Sequence, residues 1–272
     1  MVRLLRVKLA DSCDDTESWV LPPGLRHLEF GDRFNQNIGN VTLPSSLRSI
    51  KFGTHFNCHL HTTRFPNGLQ ELTFGKLFNQ SLTGANLPSG LQFLTFGDHF
   101  NQTLSFTTLP SGLRCLEFGD AFNQSLIHTT LPEHLERLQF GLAYNQPLSD
   151  VTLPSGLREL KFGEAFDCDL EHTTLPSGLQ ILEFGKYFNT TLDYTTLPSG
   201  LRFLKFGDSF NQSLDQTTLP ISLDTLVFGM HFNQSLENTT LPDGLRLVKL
   251  CAGFRQQELF SQLPDSIRIV ML

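Results

Sequence analysis

Apolar residues return along this chain at one fixed interval. The proline of each Leu‑Pro or Phe‑Pro pair falls at Pro22, Pro44, Pro66, Pro88, Pro110, Pro132, Pro154, Pro176, Pro198, Pro220, Pro242 and Pro264, and every step is 22 residues. A period of this size marks a solenoid, in which each repeat contacts only its neighbours. Two columns of the alignment each hold ten phenylalanines. One runs from Phe30 to Phe228 and ends in Leu250; the other runs from Phe34 to Phe254 with Tyr144 in one place. Leucines fill four more columns, seen in one coil as Leu201, Leu204, Leu214 and Leu219. Each coil thus offers about six inward apolar groups, too few to offset the ordering of its own backbone. Coils must stack, strand beside strand at about 4.8 Å.

The segment Leu‑x‑x‑Leu‑x‑Phe predicts a short strand. In one copy Leu204 and Phe206 face the core while Phe203 and Lys205 face out. Gly follows in every copy from Gly31 to Gly229, which predicts either a positive φ or a close backbone approach. Leu‑Pro‑Ser‑Gly predicts a second corner, with a looser glycine that Ser46, His134 and Ser222 replace. No apolar stripe has a helical period, so little α-helix is expected. At the start, Leu4, Val7 and Leu9 repeat the strand pattern one residue out of phase, before the polar DSCDDTES. At the end, Ile267, Val270 and Leu272 read as inward positions of a last strand, whose open parallel edge is a route to self-association. The organisation predicted is a degenerate cap over 1–20, an array over 21–250 and a divergent last repeat over 251–272.

The motif LP‑x‑x‑L‑x‑x‑L‑x‑F‑G‑x‑x‑FNQ‑x‑L, in ten tandem copies, resembles the FNIP repeat, a relative of the leucine-rich repeats. The Asn of Phe‑Asn‑Gln looks like the leucine-rich-repeat asparagine. Gln or another residue stands where the family name has Ile, and Pro follows one place later only at Pro147. The resemblance implies a β-solenoid of leucine-rich-repeat-like type, a right-handed curved coil with one parallel strand per repeat. It also brings to mind relatives with an N-terminal F-box or kinase domain; only about twenty residues precede the array here, so a ubiquitin-ligase adaptor role needs a longer gene product.

Charge and composition narrow the partners. A net charge of −7 argues against nucleic acid and anionic membrane. MVRLLRVKLADS lacks the features of a signal peptide, and no apolar run approaches a membrane span. Five cysteines, Cys13, Cys58, Cys115, Cys168 and Cys251, are odd in number, and Cys58 and Cys168 lie five coils apart, about 24 Å at strand spacing. A reduced, cytoplasmic setting is expected.

The Asn column comprises Asn35, Asn57, Asn79, Asn101, Asn123, Asn145, Asp167, Asn189, Asn211 and Asn233. Several sit in Asn‑x‑Ser/Thr, but the column is expected to be a buried ladder satisfying backbone groups. His55, Cys58, His59 and His61 resemble a zinc cluster, yet intervening core positions spread them around a turn, so no metal or other cofactor is expected. Paired threonines, Thr107/Thr108 to Thr239/Thr240, offer an ice- or surface-binding plane; hydrogen bonding between coils is preferred, because adjacent residues face opposite ways and Arg64, Asn86 and Gln262 interrupt the second column. No catalytic grammar is present, and the array has no insertion from which to build a pocket, so no enzyme is expected. What varies freely is the outward face of the strands. Ile181, Phe203, Val227 and Leu247, with Lys205 beside them and Phe93 apart, form the expected protein-binding surface for an unidentified partner. Lys161, Glu183 and Lys205 are expected to pair across strands.

Overall fold

The computed structural model describes residues 5–9, 19–255 and 266–271. Leu4, Cys13, the segment 11–18, Gln262, Pro264 and Leu272 lie outside the described residues. The described chain is a parallel β-solenoid with no helix. Its strands are β1 (Leu5–Lys8), β2 (Leu25–Glu29), β3 (Ser49–Lys51), β4 (Glu71–Thr73), β5 (Phe93–Thr95), β6 (Cys115–Glu117), β7 (Arg137–Gln139), β8 (Glu159–Lys161), β9 (Ile181–Glu183), β10 (Phe203–Lys205), β11 (Thr225–Val227), β12 (Leu247–Leu250) and β13 (Arg268–Met271). The chain divides into two compact units, Met1–Arg137 and Leu138–Leu272. In the first, β1 to β6 pair in chain order; in the second, β8 to β13 do.

The expected strand polarity holds: in β10 Leu204 is fully buried, Phe203 half-buried and Lys205 exposed. Three turns close each coil. In one coil they run from Leu201 N to Pro198 O (3.0 Å), Phe210 N to Gly207 O (3.3 Å) and Thr217 N to Leu214 O (2.9 Å). The third corner, at the inward leucine, carries Gly in only two coils, at Gly39 and Gly84, which is why the pattern gave no warning of it. Its support is a hydroxyl: Ser213 Oγ accepts a hydrogen bond from Asp215 N at 3.1 Å.

The two phenylalanine columns become two ring stacks. Within a coil the rings lie close, as for Phe184 and Phe188 at 3.8 Å between centroids; between coils Phe184 and Phe206 are 5.7 Å apart and nearly parallel at 8°. Each ring thus lays one face on the ring of its own coil and has like rings of the adjacent coils beside it. Trp19, outside the phenylalanine columns, covers the first coil, 6.1 Å from Phe30 and 5.4 Å from Phe34.

The strict glycine column is a close approach and not a positive φ. The one positive-φ residue described is Gly84, elsewhere in the coil. A Cβ placed on Gly53, Gly75, Gly97, Gly119, Gly163, Gly185, Gly207 or Gly229 would lie 1.7–2.2 Å from the carbonyl oxygen of the preceding glycine in the column. The hydrogen that occupies that place in glycine points at the oxygen, a weak Cα–H···O contact. The looser glycines are less crowded, with the nearest carbonyl oxygen 2.6 Å from a Cβ at Gly200 and 3.4 Å at Gly178. Where Ser stands instead, its hydroxyl converts the approach into hydrogen bonds: Ser222 Oγ donates to Ser199 O at 2.7 Å or Leu201 O at 2.6 Å.

Both ends of the array slip by one residue. Val7 pairs with Leu28, 21 residues on, as the phase of the pattern predicts. Arg6 fixes this strand to Glu29 at 2.6 Å, and that hydrogen bond holds the Glu29 carboxyl below its ordinary value. At the other end the expectation fails. Ile269, and not Val270, stands opposite the core residue Val248, while Val270 stands opposite the outward Lys249. A one-residue shift exchanges the two faces of a strand.

Replacing Gly185 by Ala forces a methyl against the Gly163 carbonyl and is expected to cost at least about 3 kcal/mol, whereas Gly178→Ala stays within about 1 kcal/mol. Urea unfolding of the two variants checks the contrast.

Candidate binding face

The asparagine ladder is present. Asn211 N donates to Asn189 Oδ1 at 2.9 Å, and Asn189 N to Asp167 Oδ1 at 2.7 Å, with the same bond in the coils of the first unit. It differs from the expectation in two respects. The side chains are half-buried or exposed and not buried, Asn35, Asn145 and Asn189 being the most open. The bond also runs onward, to the N–H of the next coil, as where Asn211 N donates to Asn189 Oδ1. The Gln of Phe‑Asn‑Gln belongs to the ladder as well: Gln212 Nε2 donates to Asn189 Oδ1 at 3.2 Å. Cys58 and Cys168 occupy that Gln column, and their thiols donate to Asn35 Oδ1 (3.3 Å) and Asn145 Oδ1 (3.2 Å). Burial raises both thiol pKa values, for Cys168 with help from Asp169 and Asp167, so neither is an activated thiolate.

The geometry around Cys58 disperses the zinc-like group. His55 Nδ1 lies 2.8 Å from Asp32 O, and the His59 and His61 rings are 5.8 Å apart. Among the described residues no group of three or more His, Cys, Asp or Glu side chains could hold a metal ion. Cys58, Cys115, Cys168 and Cys251 form no disulfide among the described residues.

The threonine pairs separate into a buried and an exposed column. Thr107, Thr129, Thr173, Thr195, Thr217 and Thr239 are buried; their successors are exposed. The hydrogen bonding between coils that the pattern suggested is absent for Thr107, Thr129, Thr173 and Thr217, whose buried hydroxyls have no partner. Like atoms repeating at about 4.8 Å are too far apart to bond directly. Val41 and Val151 take the same column and are equally buried, so the position uses the branched methyl.

On the outer sheet face of the second unit, Glu159, Ile181, Phe203, Thr225 and Leu247 stand side by side on paired strands. Ile181, Phe203 and Leu247 are half-buried. Val227 was expected to be exposed with them, but it is only 6% exposed, since Lys205 and Lys249 flank it in register. Phe93 lies in the first unit between Glu71 and Cys115 and is 46% exposed. Beside the apolar row, Lys161 Nζ reaches Glu159 at 2.7 Å and Glu183 at 3.1 Å, and Lys205 Nζ reaches Glu183 at 3.5 Å. The Glu159 hydrogen bond is the largest cause raising the Lys161 pKa above its ordinary value. The expected cross-strand charge pairing is therefore formed. A shallow trough of about 450 Å³ follows, floored by the glycine column with Lys161, Glu183 and Lys205 on one wall and Glu164, Lys186 and Asp208 on the other.

One row escaped the sequence reading. The residues immediately before the outward apolar column are Arg158, Gln180, Arg202, Asp224 and Arg246, and the three arginines are exposed. Their signal was an arginine in alternate coils, hidden because the column as a whole looks mixed.

Comparison with known proteins bears on this framework. The FNIP Repeat family model matches residues 16–55, 34–77, 56–99, 78–121, 100–143, 122–165, 144–187 and 188–231. The solved structure of CroV588, described as a circular leucine-rich-repeat protein, is 40% identical with a TM-score of 0.86 over 93% of this chain. This chain spans 37% of the length of that protein. The pneumococcal vaccine antigen PcpA is 16% identical over 91% of this chain and 68% of its own, with a TM-score of 0.31, too low to carry an argument. No curated protein matches the sequence.

Asn189→Ala removes the acceptor for Asn211 N and Gln212 Nε2 and is expected to cost about 1–3 kcal/mol, while Asn189→Asp keeps the bond, as Asp167 already does. Thermal unfolding of both variants, with hydrogen exchange at Asn211, reads the difference.

Proposed function

Because the chain belongs to the FNIP repeat family, with a leucine-rich-repeat-like solenoid as its frame, we propose that it is a non-enzymatic scaffold whose outer sheet face binds a protein partner. The observation that carries this reading is the row Ile181, Phe203 and Leu247, apolar groups on the solvent side of paired strands with Thr225 between the last two. Their half-burial holds them in place, which lowers the entropy lost on contact. Phe203 is the anchor, being the one aromatic group in the row. Lys205 lies at the rim, and Val227 beside it is covered between Lys205 and Lys249. Phe93 belongs to a separate place on the first unit. Four cysteines without a disulfide among the described residues, and ladder asparagines engaged between coils, favour a reducing, intracellular setting. Among the described residues no helix is long and apolar enough to cross a membrane. An ice-binding plane is less favoured, since only one threonine of each pair reaches the surface and a single row does not make a plane.

The expected result is that Phe203→Asp combined with Ile181→Asp abolishes partner recovery in a quantitative pull-down, with the unfolding transition kept. A folded double variant that recovers the same proteins in the same amounts contradicts the reading.

A further inference from the structure

The charges around this face specify what it takes. Arg158, Arg202 and Arg246 are exposed and form no ion pair among the described residues, and Arg268 of β13, beside Leu247, adds a fourth cation. The carboxylates on the same face are engaged: Glu159 and Glu183 hold Lys161, Glu183 also holds Lys205, and Asp224 Oδ1 accepts the Thr225 hydroxyl at 2.6 Å. In the first unit the same column holds Arg114, paired with Glu136; Arg48, whose Nη1 donates to Ser45 O (3.1 Å) or Leu47 O (3.0 Å); and Arg26, exposed and without an ion pair among the described residues but far along the array from Phe203. A chain of net charge −7 thus gathers uncommitted arginines beside Ile181, Phe203 and Leu247.

We infer that this face accepts an acidic, extended protein segment carrying an apolar anchor, with Phe203 meeting the anchor and Arg202 and Arg246 meeting carboxylates. This rests on the proposed protein-binding role and names the chemistry of its partner. Arginines in alternate coils recur about every 9.6 Å at strand spacing, close to three residues of extended chain at about 3.3 Å each. The segment therefore presents Asp or Glu three residues apart with Leu or Phe between them. Guanidinium groups engage carboxylates in two-point contacts, which sets register as well as attraction. Nucleic acid suits the face less well. Its apolar row is mainly aliphatic, where single strands are held by successive aromatic platforms.

The test is panning of a random linear peptide library on the full-length chain, followed by anisotropy of the enriched peptides against four proteins. These are the unaltered chain, Phe203→Asp, Arg202→Glu with Arg246→Glu, and Arg202→Gln with Arg246→Gln, each checked for an unchanged unfolding transition. Expected are peptides rich in Asp and Glu at a three-residue spacing, with affinity falling about tenfold or more in the Arg202→Glu/Arg246→Glu protein and less in the Gln pair. Peptides that depend on Phe203 but not on the arginines, or that lack acidic residues, overturn the charge inference and leave the binding face standing. If no enriched peptide depends on Phe203, both readings fall. Binding of a labelled single-stranded oligonucleotide that is lost with the arginines overturns the assignment to a protein segment.

Discussion

Each coil of this protein rests on the one before it through a glycine. The Cα hydrogen at Gly185 lies where a Cβ would stand 1.8 Å from the Gly163 carbonyl, and the same contact recurs through both units. No other residue fits, because no other residue lacks that carbon. This contact sets how near the coils approach at the end of each strand. Strand pairing at one edge and the asparagine bond at another hold the same spacing elsewhere in the coil.

With that spacing fixed, the rest of the repeat has little freedom. Ring centroids in the phenylalanine columns recur at 5.5–6.2 Å from coil to coil over most of each unit, and any smaller side chain there opens a void between two neighbours at once. The FNQ motif is the coil edge. Phe packs, Asn accepts the N–H of the next coil, and Gln donates to the Asn before it. Variation is left to the outward strand positions and the corners, so those are where a partner can be specified without cost to the stack. In the second unit these positions gather Ile181, Phe203 and Leu247 next to Arg202 and Arg246.

The period, the core columns and the strand polarity were legible in the residues, because stacking forces the same side chain into the same slot many times. Two kinds of feature were not. Burial of a polar column cannot be read from its neighbours: the asparagines follow an inward Phe but sit at the edge, and the threonines follow exposed residues yet turn in, where Val41 and Val151 give the clue that a methyl is wanted. Register at the last strand is the second. Ile267, Val270 and Leu272 continue the 22-residue pattern, but β13 pairs one residue away, with Ile269 against Val248. At the proposed binding face, Phe203 stood out by type, while the arginine row did not, because what marks it is exposure without an ion pair among the described residues.

The claim that coil-to-coil contact at a fixed period holds the fold is tested most directly by shortening the array inside the second unit. Deleting residues 163–184, one whole period, joins Phe162 to Gly185 and leaves every column continuous. Deleting 163–183 shifts every later column by one residue and exchanges its inward and outward faces. The account predicts that the first deletion unfolds in a single cooperative transition with a modestly lower midpoint, and that the second loses its cooperative transition in the shortened unit. Equal loss of structure in both, or equal tolerance of both, would contradict it.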